Sequence, residues 1–546
     1  MREGICRGNC RWSSWGPRVL WAMLLLRSVA GEEVMGLQAG TARINITPTP
    51  AVGAPLVGYT AVHDKLARGV HDSLYARVVV LDDGQQQVAV VALDLLGMNP
   101  GNLAGRLRQL GLTGWLLNAS HTHGGPMVVR LYEPYGDDRT WPPTAPYLTW
   151  LEERLVAGVR QALAQRRPVR AAAGSGEVDL SFNRRLVHDD GSVEMIWHQN
   201  TDPRPLGPVD PRVGVVSLQD DTGAVVAILA HYACHAVVLG SANRQITADY
   251  PGYTAAYLEG RFPGSVALFL QGGAGDLDPY TCVQSDFAPA RAQGEALGRE
   301  VERVVRAVTR SDADEAMLPP DADLHWAEFS RAYAPAPEAV AGEHPVTATA
   351  SLLTLGDRVA WVALPGEPFV DLQLDLAARS PWPYTFLLGY TNGYAGYLPT
   401  VAASRQGGYG AEPGGTLHLA PGAGEAMVNE ALDHLARLAV PAGTAVADAA
   451  APTTARAALG AAFPNPFNAA VTIPYTVAAA GPVRVAVHSV DGQRIRLLVD
   501  QLNSPGPHRI TWDGTDASGR PAASGTYVLR LHADGDTATR RVLLLR

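Results

Sequence analysis

Residues 74–97 read LYARVVVLDDGQQQVAVVALDLLG. Two apolar runs flank an Asp-Gly pair at 83–84, the residue pair of a tight hairpin turn, so the stretch predicts two strands. Outward from it, NLAGRLRQLGL (102–112) is a helix candidate, and TGWLLNAS (113–120) reads as a buried strand. Upstream, residues 37–60 read as an opening strand with loops. YLTWLEERLVAGVRQALAQR (147–166) places apolar residues at helical spacing, as does ARAQGEALGREVERVVRAVTR (290–310). AVVAILAHYACHAVVLG (224–240) and GSVALFLQGGAGD (264–276) read as further buried strands. Buried strands alternating with amphipathic helices predict a layered α/β domain.

The chain has 546 residues, too many for one ordinary core. Apolar residues make up 47% and charged residues 18%, a globular balance that excludes a disordered chain. The formal charge is −9, which argues against a nucleic-acid partner. Residues 1–30 carry Arg2, Arg7, Arg11 and Arg18, then the short apolar run 19–26, then SVAG, the order of a secretory signal peptide. No later stretch is long and apolar enough for a membrane helix, so no transmembrane segment is expected in the mature chain. Cys6 and Cys10 fall in the leader. Cys234 and Cys282 either pair in an oxidising compartment or stay as buried thiols.

Composition shifts near residue 440. Residues 441–460 are rich in Ala, Pro and Thr and read as a linker. From 461 to 546, short β-rich runs separated by Asp-Gly and Ser-Gly turns predict a small all-β, immunoglobulin-like sandwich.

The chemistry-bearing stretch is NASHTHGGP (118–126). On a strand, His121 and His123 share a face, and two adjacent imidazoles both need polar partners. A metal supplies such a partner, as do water or carbonyls. Gly124 and Gly125 would leave room for a substrate in front. HYACHAVVLG (231–240) adds His231 and His235, four apart, and VALPGEPF (362–369) adds Glu367 after an apolar strand. A catalytic zinc typically takes three protein ligands and keeps one position open. No serine lies in Gly-x-Ser-x-Gly, and neither a phosphate-binding loop nor a dinucleotide fingerprint is present.

Residues 37–440 resemble the catalytic domain of the neutral, non-lysosomal ceramidases. The blocks occur in order: ASHTHGGP, FNRR (182–185), CHAVVLGSANRQITADYPGY (234–253), GAGDLDP (273–279), LPGEPF (364–369) and NGYAGYLPT (392–400). The resemblance implies a zinc site of His121, His235, Glu367 and Tyr397, with His123 beside the substrate and Arg184 touching it. His231 matches nothing in the family pattern. Asp278 stands where the family has a serine often treated as nucleophile, and the stretch after the tyrosines is reduced to GGYGAEPGG, which puts ceramide itself in question as substrate. Asp276 reads as a brace for its loop. The implied activity is zinc-dependent hydrolysis of a linear amide bond in an N-acyl lipid or related N-acyl compound, with His123, Arg184, Asp278 and Tyr397 acting on substrate. A second reading is a catalytically altered or inactive surface binding protein.

The tail resembles the immunoglobulin-like domain of the flagellar hook-capping protein and the C-terminal sorting modules of bacterial type IX secretion. NPFN (465–468), VDGQRIRLLVD (490–500), TWDGTDASGR (511–520) and the closing RRVLLLR carry the likeness. It implies secretion machinery as a partner and a secreted or cell-surface location.

Overall fold

The computed structural model describes residues 36–51, 53–56, 65–129, 145–197, 207–310, 316–336, 345–412, 418–439, 458–460, 462, 471–477, 481–489, 493–503, 506–533 and 536–544. The expected signal peptide, most of the linker and the NPFN motif lie outside the described residues.

Residues 36–439 are sheet-rich with helices between strands. The hairpin is present: Tyr75–Asp82 pairs antiparallel with Gln87–Leu93, and Asp82 faces Gln87. Its turn is fixed by Asp83, whose carboxylate accepts from the backbone of Gln85 and Gln86, and by Gly84 at φ 86°. Helix Gly101–Gln109 then carries the chain to Gly114–Ala119, which lies parallel to Gln87–Leu93. Gln38–Asn45 and Arg167–Pro168 complete that five-stranded sheet.

Two further sheets repeat the device. In the second, Val225–Tyr232 and Val266–Gln271 are parallel and joined through helix Asp249–Arg261. In the third, Val359–Ala363 and Tyr384–Leu388 are parallel and joined through helix Val370–Arg379. Parallel pairing demands such crossovers, and ligand sites in α/β folds gather past the carboxyl ends of the strands.

One apolar cluster joins all three sheets. Leu81, Val90 and Leu116 of the first meet Val216, Leu229 and Leu268 of the second and Leu353, Trp361 and Leu388 of the third. The opposite faces bury against helices: Ala145–Ala164 on the first sheet, Asp249–Arg261 and Ala288–Val308 on the second, Val370–Arg379 and Ala423–Leu438 on the third. The approach between sheets is close enough to require glycine. A Cβ on Gly114 would fall 2.1 Å from a ring carbon of Trp326.

The tail is strand-rich and separate in its core. Val471–Val477 and Gly506–Trp512 pair in one small sheet. Gly481–Ser489 lies between Arg494–Asn503 and Gly525–Ala533 in another. Both bury their inner faces in one cluster around Trp512, with Ile473, Val485 and Leu529 fully enclosed. Inward residues alternate along Gly525–Ala533, the pattern of a sandwich strand.

Candidate metal and active site

The three parallel pairs end at one place, and a buried asparagine pins them there. Asn118 accepts from the Gln271 backbone at 2.8 Å through Oδ1. Its Nδ2 donates to Gly389 O at 2.8 Å and to Thr391 Oγ1 at 2.9 Å. One side chain thus ties Gly114–Ala119 to the ends of Val266–Gln271 and Tyr384–Leu388.

Beyond Ala119 the strand stops, so His121 and His123 are not two strand residues on one face. His121 sits in the left-handed region at φ 62°, where only the surrounding structure holds a side chain of its size. Its N–H donates to Leu95 O and its Nδ1 faces Leu96 O at 2.8 Å. The two rings still meet edge to face, with centroids 5.0 Å apart. The space in front of Gly124 is taken by protein rather than left for substrate. A Cβ there would fall 2.4 Å from Thr247 Cγ2 and 2.7 Å from Thr247 O.

His235 follows Val225–Tyr232, and its Nδ1 faces Ala274 O at 2.5 Å. Carbonyls only accept, so in both histidines Nδ1 carries the proton and Nε2 presents a lone pair. Glu367 follows Val359–Ala363, and its Oε2 lies 3.3 Å from His121 Nε2 and 3.2 Å from His235 Nε2. His235 Nε2 and Glu367 Oε2 nevertheless satisfy no hydrogen-bond geometry. Buried electron-rich atoms converging without a proton between them fit a cation. His121, His123 and His235 also place ring nitrogens within 4.8 Å of one another, all buried.

The carboxylate is braced from behind: Tyr394 donates to Glu367 Oε1 at 2.5 Å. Tyr397, parallel-paired with Glu367 in register, turns its hydroxyl to Arg184 Nη2 at 3.1 Å. Arg184 Nη1 donates to Asp278 Oδ1 at 3.1 Å and Nη2 to Gly275 O at 2.7 Å, while Nε has no partner among the described residues. The rings of Trp197, Tyr397 and Tyr409 surround the guanidinium at 5.3, 5.9 and 5.5 Å. Asp278 and Arg184 meet because Ser181–Asn183 pairs antiparallel with Leu277–Pro279. Asp276 accepts from Val370 N and Asn183 Nδ2, and so spans two loops.

Burial shapes the charges. It would raise the Glu367 carboxyl, but the positive charge that His121 and His235 carry when protonated holds it well below the usual range. Burial pushes His123 well below its ordinary value, and the neighbouring His121 and His235 add to that. Desolvation works against the Arg184 charge, yet Asp278 and Tyr397 keep it firmly cationic.

His231 does not join this group. It donates from Nε2 to Leu387 O at 2.9 Å and lines a separate cavity of about 60 Å³ with Asp210 and Gln373. Burial lowers its pKa to about 4. Cys234 and Cys282 are both free, buried thiols.

Three residues of this site were missed in the sequence: Asn118, Tyr394 and Tyr390, whose ring lies 4.2 Å from that of His121. For Asn118 the signal was present, a lone amide inside an apolar strand.

Residues 37–296 match the family described as neutral/alkaline non-lysosomal ceramidase, N-terminal. That match spans a little under half of the chain and marks its N-terminal part as similar to the neutral ceramidases. Residues 468–536 match the FlgD Ig-like domain. Among solved structures, the neutral ceramidase from Pseudomonas aeruginosa is similar at TM-score 0.60 and 17% identity, over 94% of this chain and 99% of that one. A ceramidase complexed with C2 is similar at TM-score 0.60 and 16% identity, over 94% of this chain and all of that one. These likenesses show the ceramidase fold. The family match supports a ceramidase-type hydrolase, a class acting on amides, and the three buried histidines are a potential metal site. No helix among the described residues is long and apolar enough to cross a membrane.

Proposed function

We propose that the protein is a secreted, zinc-dependent amidohydrolase of the neutral ceramidase type, cleaving the linear amide bond of an N-acyl lipid or related N-acyl compound. The observation that carries this reading is Glu367 Oε2 standing 3.3 and 3.2 Å from two imidazole nitrogens whose opposite faces are fixed by carbonyls. His121, His235, Glu367 and Tyr397 would hold the ion. Zinc, when bound, lowers the pKa of a coordinated water and polarises a carbonyl.

The chain's own residues supply the rest. His123, kept neutral by burial, can give one N–H to the oxygen that gains charge as the carbonyl carbon becomes tetrahedral. Tyr397 can give a second donor to the same oxygen, steadied by Arg184. Arg184 spends three of its five N–H donors on protein, so its Nε–H and one Nη1–H remain for polar atoms of the substrate. Asp278 is likewise engaged, so at this position a carboxylate acceptor replaces the family's serine hydroxyl. Hydrolysis consumes one water: its oxygen bonds to the carbonyl carbon, the C–N bond breaks, and the amine leaves with the proton.

A catalytically altered binding protein is the competing reading, favoured by Asp278 alone. Four filled ligand positions favour the enzyme. The FlgD-like tail and its closing motif support export to the cell surface through secretion machinery. Metal analysis of the purified protein, paired with hydrolysis assays on ceramides and simpler N-acyl amines, tests the reading. Zinc near one equivalent with amide cleavage supports it; a metal-free protein inert on every N-acyl compound overturns it.

A further inference from the structure

Among the described residues, five that are not glycine take a left-handed backbone, and three of them, His121, Tyr390 and Asn392, surround this site. Such strain persists only where neighbours impose it, and it gathers at functional places. Tyr390 shows what imposes it. Its N–H donates to Gly366 O at 2.7 Å, one residue before Glu367. Its carbonyl accepts from Ala119 N at 3.1 Å, two residues before His121. One residue therefore bonds the backbone segments that deliver two of the converging side chains.

The side chain adds to this. The Tyr390 ring packs on His121 at 4.2 Å between centroids, tilted by 34°, and meets His235 edge-on at 6.2 Å. It is fully buried in a cluster with Ala119, Ala233, Ala274, Leu277 and Val370, in which it is the one aromatic ring among the buried members. Its hydroxyl, by contrast, has no partner among the described residues.

The geometry points to Tyr390 as a positioning residue for the metal centre, acting through its ring. The ring fixes the plane of His121 and limits the swing of His235, so that both Nε2 atoms stay aimed at one point. The inference rests on the metal reading above. Residues that orient ligands without touching the metal are commonly worth tenfold or more in affinity.

The test uses the full chain, stripped with a chelator and titrated with zinc and separately with cobalt(II). Tyr390→Gly accepts the left-handed backbone but removes the ring. Tyr390→Asn is a second ringless variant tolerant of that backbone, in case the glycine variant does not fold. Tyr390→Phe keeps the ring and deletes the hydroxyl. We expect the ringless variants, folded by circular dichroism, to bind zinc at least about tenfold more weakly and to show an altered cobalt absorption band. We expect Tyr390→Phe to match the parent in both. Ringless variants with parental affinity and spectrum overturn the inference, as does a Phe variant that loses zinc with them. A parent protein that takes up no metal overturns the metal reading and this inference together; the other outcomes overturn the inference alone.

Discussion

Tyr394 donates its hydroxyl to Glu367 Oε1 at 2.5 Å, and the other oxygen of that carboxylate stands between His121 and His235. The bond decides which oxygen faces the imidazoles. Tyr394→Phe frees the carboxylate to rotate, so zinc affinity should fall roughly ten- to a hundredfold, the usual cost of losing such a partner. Competition with a chromophoric chelator measures it. Unchanged affinity would show that the carboxylate is held by other means.

Asn118 satisfies three backbone or hydroxyl groups from two other strand ends. Asn118→Leu keeps the volume but strands the Gln271 N–H, while the Gly389 carbonyl keeps the Thr391 hydroxyl. We expect a loss of about 1–3 kcal/mol, the cost of a buried group left without a partner. Urea denaturation reads the change; a variant as stable as the parent would mean that group finds another partner.

Asp276 gives a pH signature. Burial raises its pKa to about 6, against the lowering effect of the Val370 and Asn183 hydrogen bonds. The folded state therefore holds this proton more tightly than the unfolded chain does. The associated stability is full below about pH 4 and is lost as pH rises through about 6. Asp276→Asn cannot titrate, and it turns an amide donor toward one of two existing donors. It should lower stability by roughly 1–3 kcal/mol. Melting temperatures across pH should show the parent's advantage over the variant shrinking between pH 4 and 6.5. An advantage that grows over that range would contradict the assignment.

Asp278 and Arg184 form a buried pair at 3.1 Å. Asp278→Ala leaves the guanidinium uncompensated, and breaking such a pair costs about 3–5 kcal/mol. Asp278→Ser restores the family's residue and releases Nη1 toward substrate. Ceramide cleavage that appears or rises in this variant marks the position as a determinant of substrate choice. An unchanged substrate profile would remove it from that role.

Much of the fold was legible because burial writes a plain pattern. The hairpin at 74–97 announced itself through Asp83-Gly84, and the apolar strands and amphipathic helices through their periods. The histidines were legible as residues but not as geometry. His121 and His123 were expected on a strand that in fact ends at Ala119, because a left-handed residue leaves no periodic trace. Glycine misled in the same way. Gly124 looked like room for a ligand, whereas Thr247, more than a hundred positions away, fills the space. Tyr394 and Tyr390 were invisible because their roles depend on contacts with segments far along the chain.

The convergence of three sheets on Asn118 bears on how this protein can be cut. The segment matching the ceramidase family model stops at residue 296, whereas Glu367, Tyr390, Tyr394 and Tyr397 all come later. A fragment ending there would keep three imidazoles and the carbonyls behind two of them, and lose the carboxylate and the tyrosines packed around them. Expression boundaries, and any protease that clips between the second and third sheets, therefore separate halves of one buried side-chain cluster rather than two self-contained modules.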